Sequence, residues 1–349
     1  MTRPLFLHPD RLLPADEDAR TLARRLYEHV AGLPIISPHG HTDPRWFASN
    51  APFSNATQML LVPDHYVFRM LYSQGVPLES MGVRARDGSS PAVDPREAWR
   101  LLAQNYHLFR GTPSRLWLDW VFSDAFGLDV QLEAATADHY YDVITDALAT
   151  PAYRPRALFE RFNIEVIATT ESPIDTLEHH ATIRNSGWQG RVITAFRPDP
   201  VVDPEFEGFR DNLATLSTMT GEDALSYPGY LAALRQRRAF FASMGATSTD
   251  HGHPTAATAD LTDDQAQALF ARISTAPATP ADAELFRAHM LTIMAGMSVE
   301  DGLVMQIHPG SCRNHNGPIF NRYGRDKGAD IPTRTDFVHA LRPLLDRYG

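Results

Sequence analysis

Five apolar, β-branched runs recur along this chain with helical patterns between them, and polar side chains gather where each run ends. The runs are Leu33 to Ser37, 162–170 (FNIEVIATT), 190–198 (GRVITAFRP), a weaker 243–253 (SMGATSTDHGH) and 302–308 (GLVMQIH). Helical periodicity fills 16–31, 205–220, 228–243, 261–273 and 280–299, and begins again at Asp336 to Tyr348. Strands alternating with helices indicate βαβ units and a parallel sheet. With 349 residues, that pattern suits two domains or one α/β barrel carrying insertions. Residues 52–160 have a different texture. They show helical periods at Asp64 to Gly75, Pro95 to Leu108 and Leu132 to Leu148, with many aromatics and no convincing strand, and read as a helical insertion. The expected organisation is a helix and first strand over 1–51, the insertion over 52–160, and a continuing barrel over 161–349.

The helix at 16–31 repeats Leu22, Leu26 and Val30 at i, i+4 and i+8, with acidic residues in its first turn. Gly32 is placed to end it, Pro34 forbids continuation, and the first strand follows. That strand finishes in His39-Gly40-His41. Residues i and i+2 of a strand share a face, so the two imidazoles can share a cation, and neutral imidazole is a common ligand for zinc and similar ions. A pair of histidines hydrogen-bonded in a polar loop reads equally well from spacing alone. The later strand ends add Arg197, then Asp250, His251 and His253, then His308, Arg313, Asn314 and His315. Any one of these can be a satisfied loop residue. All of them at successive strand ends point to the catalytic face of a barrel.

In the insertion, 64–76 (DHYVFRMLYSQGV) reads as a helix capped by Asp64, with Tyr66, Arg69 and Ser73 along one face. It is either a plain amphipathic helix or a lid delivering His65, Tyr66 or Arg69 to the barrel mouth. The formal net charge of −10 and the scarcity of lysine disfavour a nucleic-acid partner. They leave room for a small anion, which needs one or two local arginines. A single cysteine, Cys312, excludes an intrachain disulfide and a cysteine zinc cluster, so any metal site must use His and carboxylate. Neither a signal-peptide h-region nor a membrane-length apolar run is present, and the expectation is a soluble cytoplasmic protein with no membrane partner. A homo-oligomer stays open, since closed symmetric assemblies are common.

Taken in order, LPIISPHGHTDP, DHYVFRMLYSQGV, ATTESPIDTLEHH, TAFRPD, STDHG and QIHPGSCRNHNGPIF resemble uronate isomerases of the amidohydrolase superfamily. The Asp-His-Tyr and Phe-Arg-Pro-Asp segments are the discriminating ones, and the resemblance runs from about residue 5 to the end. It implies a distorted TIM-like (β/α)8 barrel with a helical insertion after strand 1. It also implies interconversion of D-glucuronate with D-fructuronate and of D-galacturonate with D-tagaturonate. By the same resemblance His39 and His41 bind a divalent metal, with zinc expected. His65 and Tyr66 act in catalysis, Arg197 faces the sugar acid, and His251 and His308 are further polar site residues. Arg69 and Arg313 complete the expected substrate-binding set.

The family also uses an Asp at the end of an eighth strand, followed by an Arg, and no residue here matches that position. Asp250 is the one nearby carboxylate, on a different strand. The expectation is therefore about five barrel strands, an incomplete barrel with exposed edges, weak metal retention and little activity. Two rivals remain at this point. A hydrolase of the same superfamily would use the histidine pair to activate water. A sugar-acid binder or inactive remnant would use the pocket without turnover.

Overall fold

The five runs become one parallel sheet in chain order: β1 (Ile35–Ser37), β2 (Ile164–Glu171), β3 (Arg191–Phe196), β4 (Ser248–His251) and β5 (Val304–Ile307). The structure is a computed structural model and describes residues 2–349. β2 and β3 run in register from Val166↔Arg191 to Glu171↔Phe196, β3 and β4 pair at Phe196↔Thr249, and β4 and β5 from Ser248↔Val304 to His251↔Ile307. The sheet curls. The Gln306 side chain on β5 donates to the Pro38 carbonyl just after β1 at 3.4 Å. The His39 and His308 rings lie 5.2 Å apart. A curled parallel sheet with helices after its strands is the TIM-like architecture expected from the sequence.

The chain divides into two units. The one that holds the sheet comprises Ile35–Ser49, Ile164–Cys312 and Pro332–Gly349. Its crossovers follow the sequence pattern: Glu178–Asn185 after β2, Phe209–Thr220 and Tyr227–Ser243 after β3, Asp263–Thr275 and Pro280–Asp301 after β4. Thr262 and Thr279 cap the last two helices, accepting from Gln265 N and Asp282 N. The core lies between these helices and the sheet, where Phe196 meets Phe241 edge-on at 5.1 Å among Leu234, Met290, Met294 and Leu303. Buried Arg238 is held at Nε by Asp301 Oδ2 at 2.6 Å. Removing that carboxylate would strand a buried charge.

Two expectations about strands change. The first strand, apolar enough to look buried, is exposed at Ile35 (50%) and Ile36 (61%), because β1 is an edge strand with one neighbour. The weak fourth run is a strand buried at all four positions. Part of the usual cost is offset by partners, as when Thr249 Oγ1 meets His251 Nε2 at 2.9 Å, while Asp250 Oδ2 and His251 Nδ1 lack a hydrogen bond.

The other unit comprises the chain up to Pro34, Asn50–Asn163 and Arg313–Ile331. Among the described residues it is mainly helical, with an antiparallel bridge between Pro4 and Val130; at its last residue, Ile331, begins the short strand Ile331–Pro332, which pairs with Ser311–Cys312. Trp99, Tyr106, Phe122 and Tyr140 form its aromatic centre. Trp99 Nε1 donates to Ala137 O at 3.1 Å and Tyr106 OH to Asp119 Oδ1 at 2.8 Å, so their polar tips are satisfied. The first helix forms over Glu17–Glu28 with Asp16 as its cap, but it buries no residue. Leu22, Leu26 and Val30, its apolar stripe, are each more than half exposed.

Candidate active site at the strand ends

The site is assembled from the residues that follow β1, β3, β4 and β5, all in the sheet-bearing unit. His39 and His41 leave β1 with their Nε2 atoms 3.2 Å apart and their rings nearly perpendicular. Asp250 sits on β4 with its side chain fully buried. Its Oδ1 faces His39 Nδ1 at 3.3 Å and is hydrogen-bonded to His308 Nε2. Its Oδ2 faces Arg197 Nη1 at 3.3 Å without hydrogen-bond alignment. Arg197 follows β3, and its Nε donates to Asp199 Oδ2 at 3.1 Å.

The electrostatics follow from this packing. Burial alone would raise the Asp250 carboxyl. The His308 hydrogen bond, with the charges of Arg197, His308 and His39, outweighs it and holds the group below the usual carboxylate value. Asp250 therefore stays ionised in a dry site, available to a cation. Gly252 has a structural reason to lack a side chain. A Cβ there would lie 2.7 Å from Arg197 Nη2, 2.8 Å from Asp199 Oδ2 and 3.2 Å from His308 Cε1.

These residues fit a divalent cation. His39, Asp250 and His308 offer nitrogen and oxygen atoms all within 4.8 Å of one another. The His39–His41 separation fits as well. Zn–N bonds of about 2.0–2.1 Å at a tetrahedral angle put two nitrogens roughly 3.3 Å apart. His39 is common to both arrangements, turning Nε2 to His41 and Nδ1 to Asp250. Thr170 Oγ1, at the end of β2, lies 3.4 Å from both the Gly40 carbonyl and His41 Nδ1.

The fold sorts the other residues singled out in the sequence. His308, expected against substrate, lies in the Asp250 cluster. His251, expected against substrate, lies apart from that cluster. It neighbours Asp250 in a strand and so points to the opposite face, where it is buried and paired with Thr249. Burial, with His253 and Arg238 nearby, pushes its imidazole well below the usual range, so it stays neutral. In the helical unit, Asp64 caps the helix His65–Tyr72 as expected, accepting from Tyr66 N and Val67 N. Tyr66 is 54% exposed, its ring 4.4 Å from that of His65 and 4.8 Å from the Arg69 guanidinium. Arg313 faces Asp330 at 3.7 Å and Asp326 at 3.9 Å. Sequence reasoning left Asp250 without a role and passed over Asp199. The signal for both was position: Asp250 precedes His251 by one residue, and Asp199 follows Arg197 by two.

Comparison with known proteins gives a consistent result. A family model described as glucuronate isomerase matches residues 7–349. The uronate isomerase of Sphingopyxis alaskensis is 70% identical over 353 residues, covering 100% of this chain and 74% of that protein. The crystal structure of glucuronate isomerase from Caulobacter crescentus superposes with a TM-score of 0.97 at 60% identity, covering 99% of this chain and 72% of that one. The uronate isomerase of Thermotoga maritima gives a TM-score of 0.89 at 26% identity, covering 98% and 73%.

Proposed function

The chain belongs to the glucuronate isomerase family, and on that premise we propose how its own residues carry aldose–ketose isomerisation of hexuronates. The reaction interconverts D-glucuronate with D-fructuronate and D-galacturonate with D-tagaturonate. The observation that carries the assignment of roles is the convergence of His39, His308 and Arg197 on the buried Asp250 carboxylate at the strand ends.

Isomerisation moves hydrogen between C2 and C1 and exchanges carbonyl and hydroxyl. In the proton-transfer route, an oxyanion develops on the C1–C2 unit as the C2 proton leaves. His39 and Asp250, with His41 and His308 beside them, would hold a divalent cation, zinc in our reading. Such an ion supplies Lewis-acid stabilisation of that oxyanion. Thr170, whose hydroxyl donates to the Gly40 carbonyl, would keep the His41 ring oriented by accepting from Nδ1–H, leaving Nε2 to face a cation. Arg197 grips the substrate carboxylate. With Nε on Asp199 and Nη1 toward Asp250, its Nη edge is the part that can form a fork on the sugar acid. Tyr66 moves a proton at the substrate oxygen, its phenol serving as donor or acceptor, and His65 acts beside it. Arg69 and Arg313 are additional candidates for holding the acid.

The same reading gives a cytoplasmic enzyme of sugar-acid breakdown that acts on free small hexuronates. A single cysteine suits a reducing compartment. The net charge of −10 argues against nucleic acid as a partner. Among the described residues, no helix is long and apolar enough to cross a membrane.

The test is Arg197→Lys, which keeps the charge and loses the planar fork. KM for D-glucuronate should rise about tenfold or more, the scale of a lost charge-assisted hydrogen bond. An unchanged KM removes Arg197 from carboxylate recognition. Tyr66→Phe should lower kcat by about a hundredfold, the scale of general acid–base catalysis. An unaltered kcat removes the phenol from proton transfer.

A further inference from the structure

We propose that Asp199 is a positioning residue that anchors the Arg197 guanidinium, so that its Nη edge stays presented to the substrate carboxylate when Asp250 turns to a cation. The proposal rests on the reading of Arg197 given above.

The geometry has three parts. Asp199 is 8% exposed and follows Arg197 across Pro198, whose ring fixes the backbone between them. Asp199 Oδ2 accepts from Arg197 Nε at 3.1 Å. Its Oδ1 accepts from the Gly252 backbone N–H at 3.2 Å, which ties the turn after β3 to the turn after β4. His253, 3% exposed, places Nε2 3.8 Å from the same Oδ1. Arg197 therefore lies between two buried carboxylates, one at its Nε corner and one at Nη1.

The two carboxylates differ in what else they face. Asp250 is shared among His39, His308 and Arg197, and it is the oxygen donor of the candidate metal cluster. A cation that engages Asp250 weakens its hold on Nη1. A long arginine with one anionic partner lost and none to replace it is free to change rotamer, and a substrate would then have to immobilise it again. Asp199 has no part in the metal cluster, so its bond to Nε persists. A guanidinium fixed at Nε can pivot little about its plane, which leaves Nη1 and Nη2 in place for a carboxylate. The absence of a Cβ at Gly252 is what lets Nη2 and Asp199 Oδ2 lie this close to the strand-end backbone.

Asp199→Asn separates this role from a structural one. The amide oxygen still accepts from Gly252 N–H, whereas the amide NH2 that replaces Oδ2 cannot accept from Arg197 Nε–H. The expected result on D-glucuronate is a KM raised about tenfold, with kcat changed by less than about threefold and zinc content per chain unchanged. In the Arg197→Lys background the same substitution should add less than about twofold, because the group it anchors is gone. Asp199→Asn that leaves KM unaltered while Arg197→Lys raises it overturns the anchor and leaves the Arg197 reading standing. Arg197→Lys with unaltered KM overturns the Arg197 reading itself, and the anchor falls with it. Effects that multiply in the double variant, loss of zinc alongside the KM change, or an Asn variant that does not fold each assign Asp199 to scaffolding and overturn the proposal.

Discussion

At the scale of single residues, the site depends on one missing side chain as much as on those present. The Cβ of alanine at position 252 would press on Arg197, Asp199 and His308 together. Gly252→Ala should therefore displace three site groups while the helices and sheet persist. A displacement on the order of 1 Å at a reacting centre can cost about a hundredfold in rate. We expect a loss of that order in kcat/KM with an unchanged circular dichroism spectrum. A variant with full turnover would show that the close packing at Gly252 carries no functional load. Much of the residue scale was legible in the sequence. His39, His41, Arg197 and His308 could be picked out because polar residues at parallel strand ends have few structural reasons to cluster. The face of each side chain was less legible. Asp250 and His251 are adjacent, yet one enters the site and the other is buried behind it. Their order could be decided only once β4 had a register. The short run STDH, polar at every position, gave no apolar alternation from which to read one.

At the scale of elements, the end of β2 and the helix Glu178–Asn185 share a buried acid–base pair that no sequence pattern announced. Glu171 closes the strand, bonded by the Thr194 hydroxyl, with His180 Nε2 at 3.7 Å and Thr169 bridging to the same imidazole at 2.9 Å. Burial pushes the Glu171 carboxyl up to about 7, against the pull of the Thr194 and Thr169 hydroxyls. Burial pushes His180 down to about 4. The ordinary values are 4.5 and 6.5. Between those two values the unfolded chain holds its one proton on His180, and the folded chain holds one proton on Glu171. The pair then adds little pH dependence to stability, and each single substitution should reveal a slope. Glu171→Gln leaves only the depressed histidine. Below 6.5 the unfolded chain takes up a proton that the fold refuses, so stability should fall as pH drops toward 4. His180→Asn leaves only the raised carboxyl. Above 4.5 the fold keeps a proton that the unfolded chain releases, so stability should fall as pH rises toward 7. Each slope can reach about 1.4 kcal/mol per pH unit. Urea midpoints of the two variants across this range should trend in opposite directions, and parallel trends would contradict the pair. The helix Glu17–Glu28 makes the complementary point. Its cap and period were readable because they are local. That it buries none of its apolar stripe was not readable, because burial is decided by neighbours distant in sequence.

At the scale of the whole molecule, the alternation of strands and helices was enough to derive a parallel sheet, whereas the change of texture at 52–160 gave no sign that the chain up to Pro34 and Arg313–Ile331 group with Asn50–Asn163. The open edges of the sheet have a consequence. β1 and β5 each pair with one strand, and Ile35, Ile36 and Val304 are half or more exposed there. Unpaired strand edges with apolar side chains favour edge-to-edge association. Light scattering should show concentration-dependent association of the chain, reduced by Ile36→Lys or Val304→Lys. Scattering indifferent to both substitutions would place any association elsewhere. The proposed function requires the strand-end cluster around Asp250 to hold a divalent metal on which hexuronate isomerisation depends. The most direct measurement follows D-glucuronate consumption by the chain before chelation, after chelation and after zinc is returned, in parallel with Asp250→Asn. Turnover should be lost with the metal and regained with it, and the Asn variant should neither retain zinc nor respond to it. Undiminished turnover by metal-free protein, or full zinc content in Asp250→Asn, would contradict that requirement.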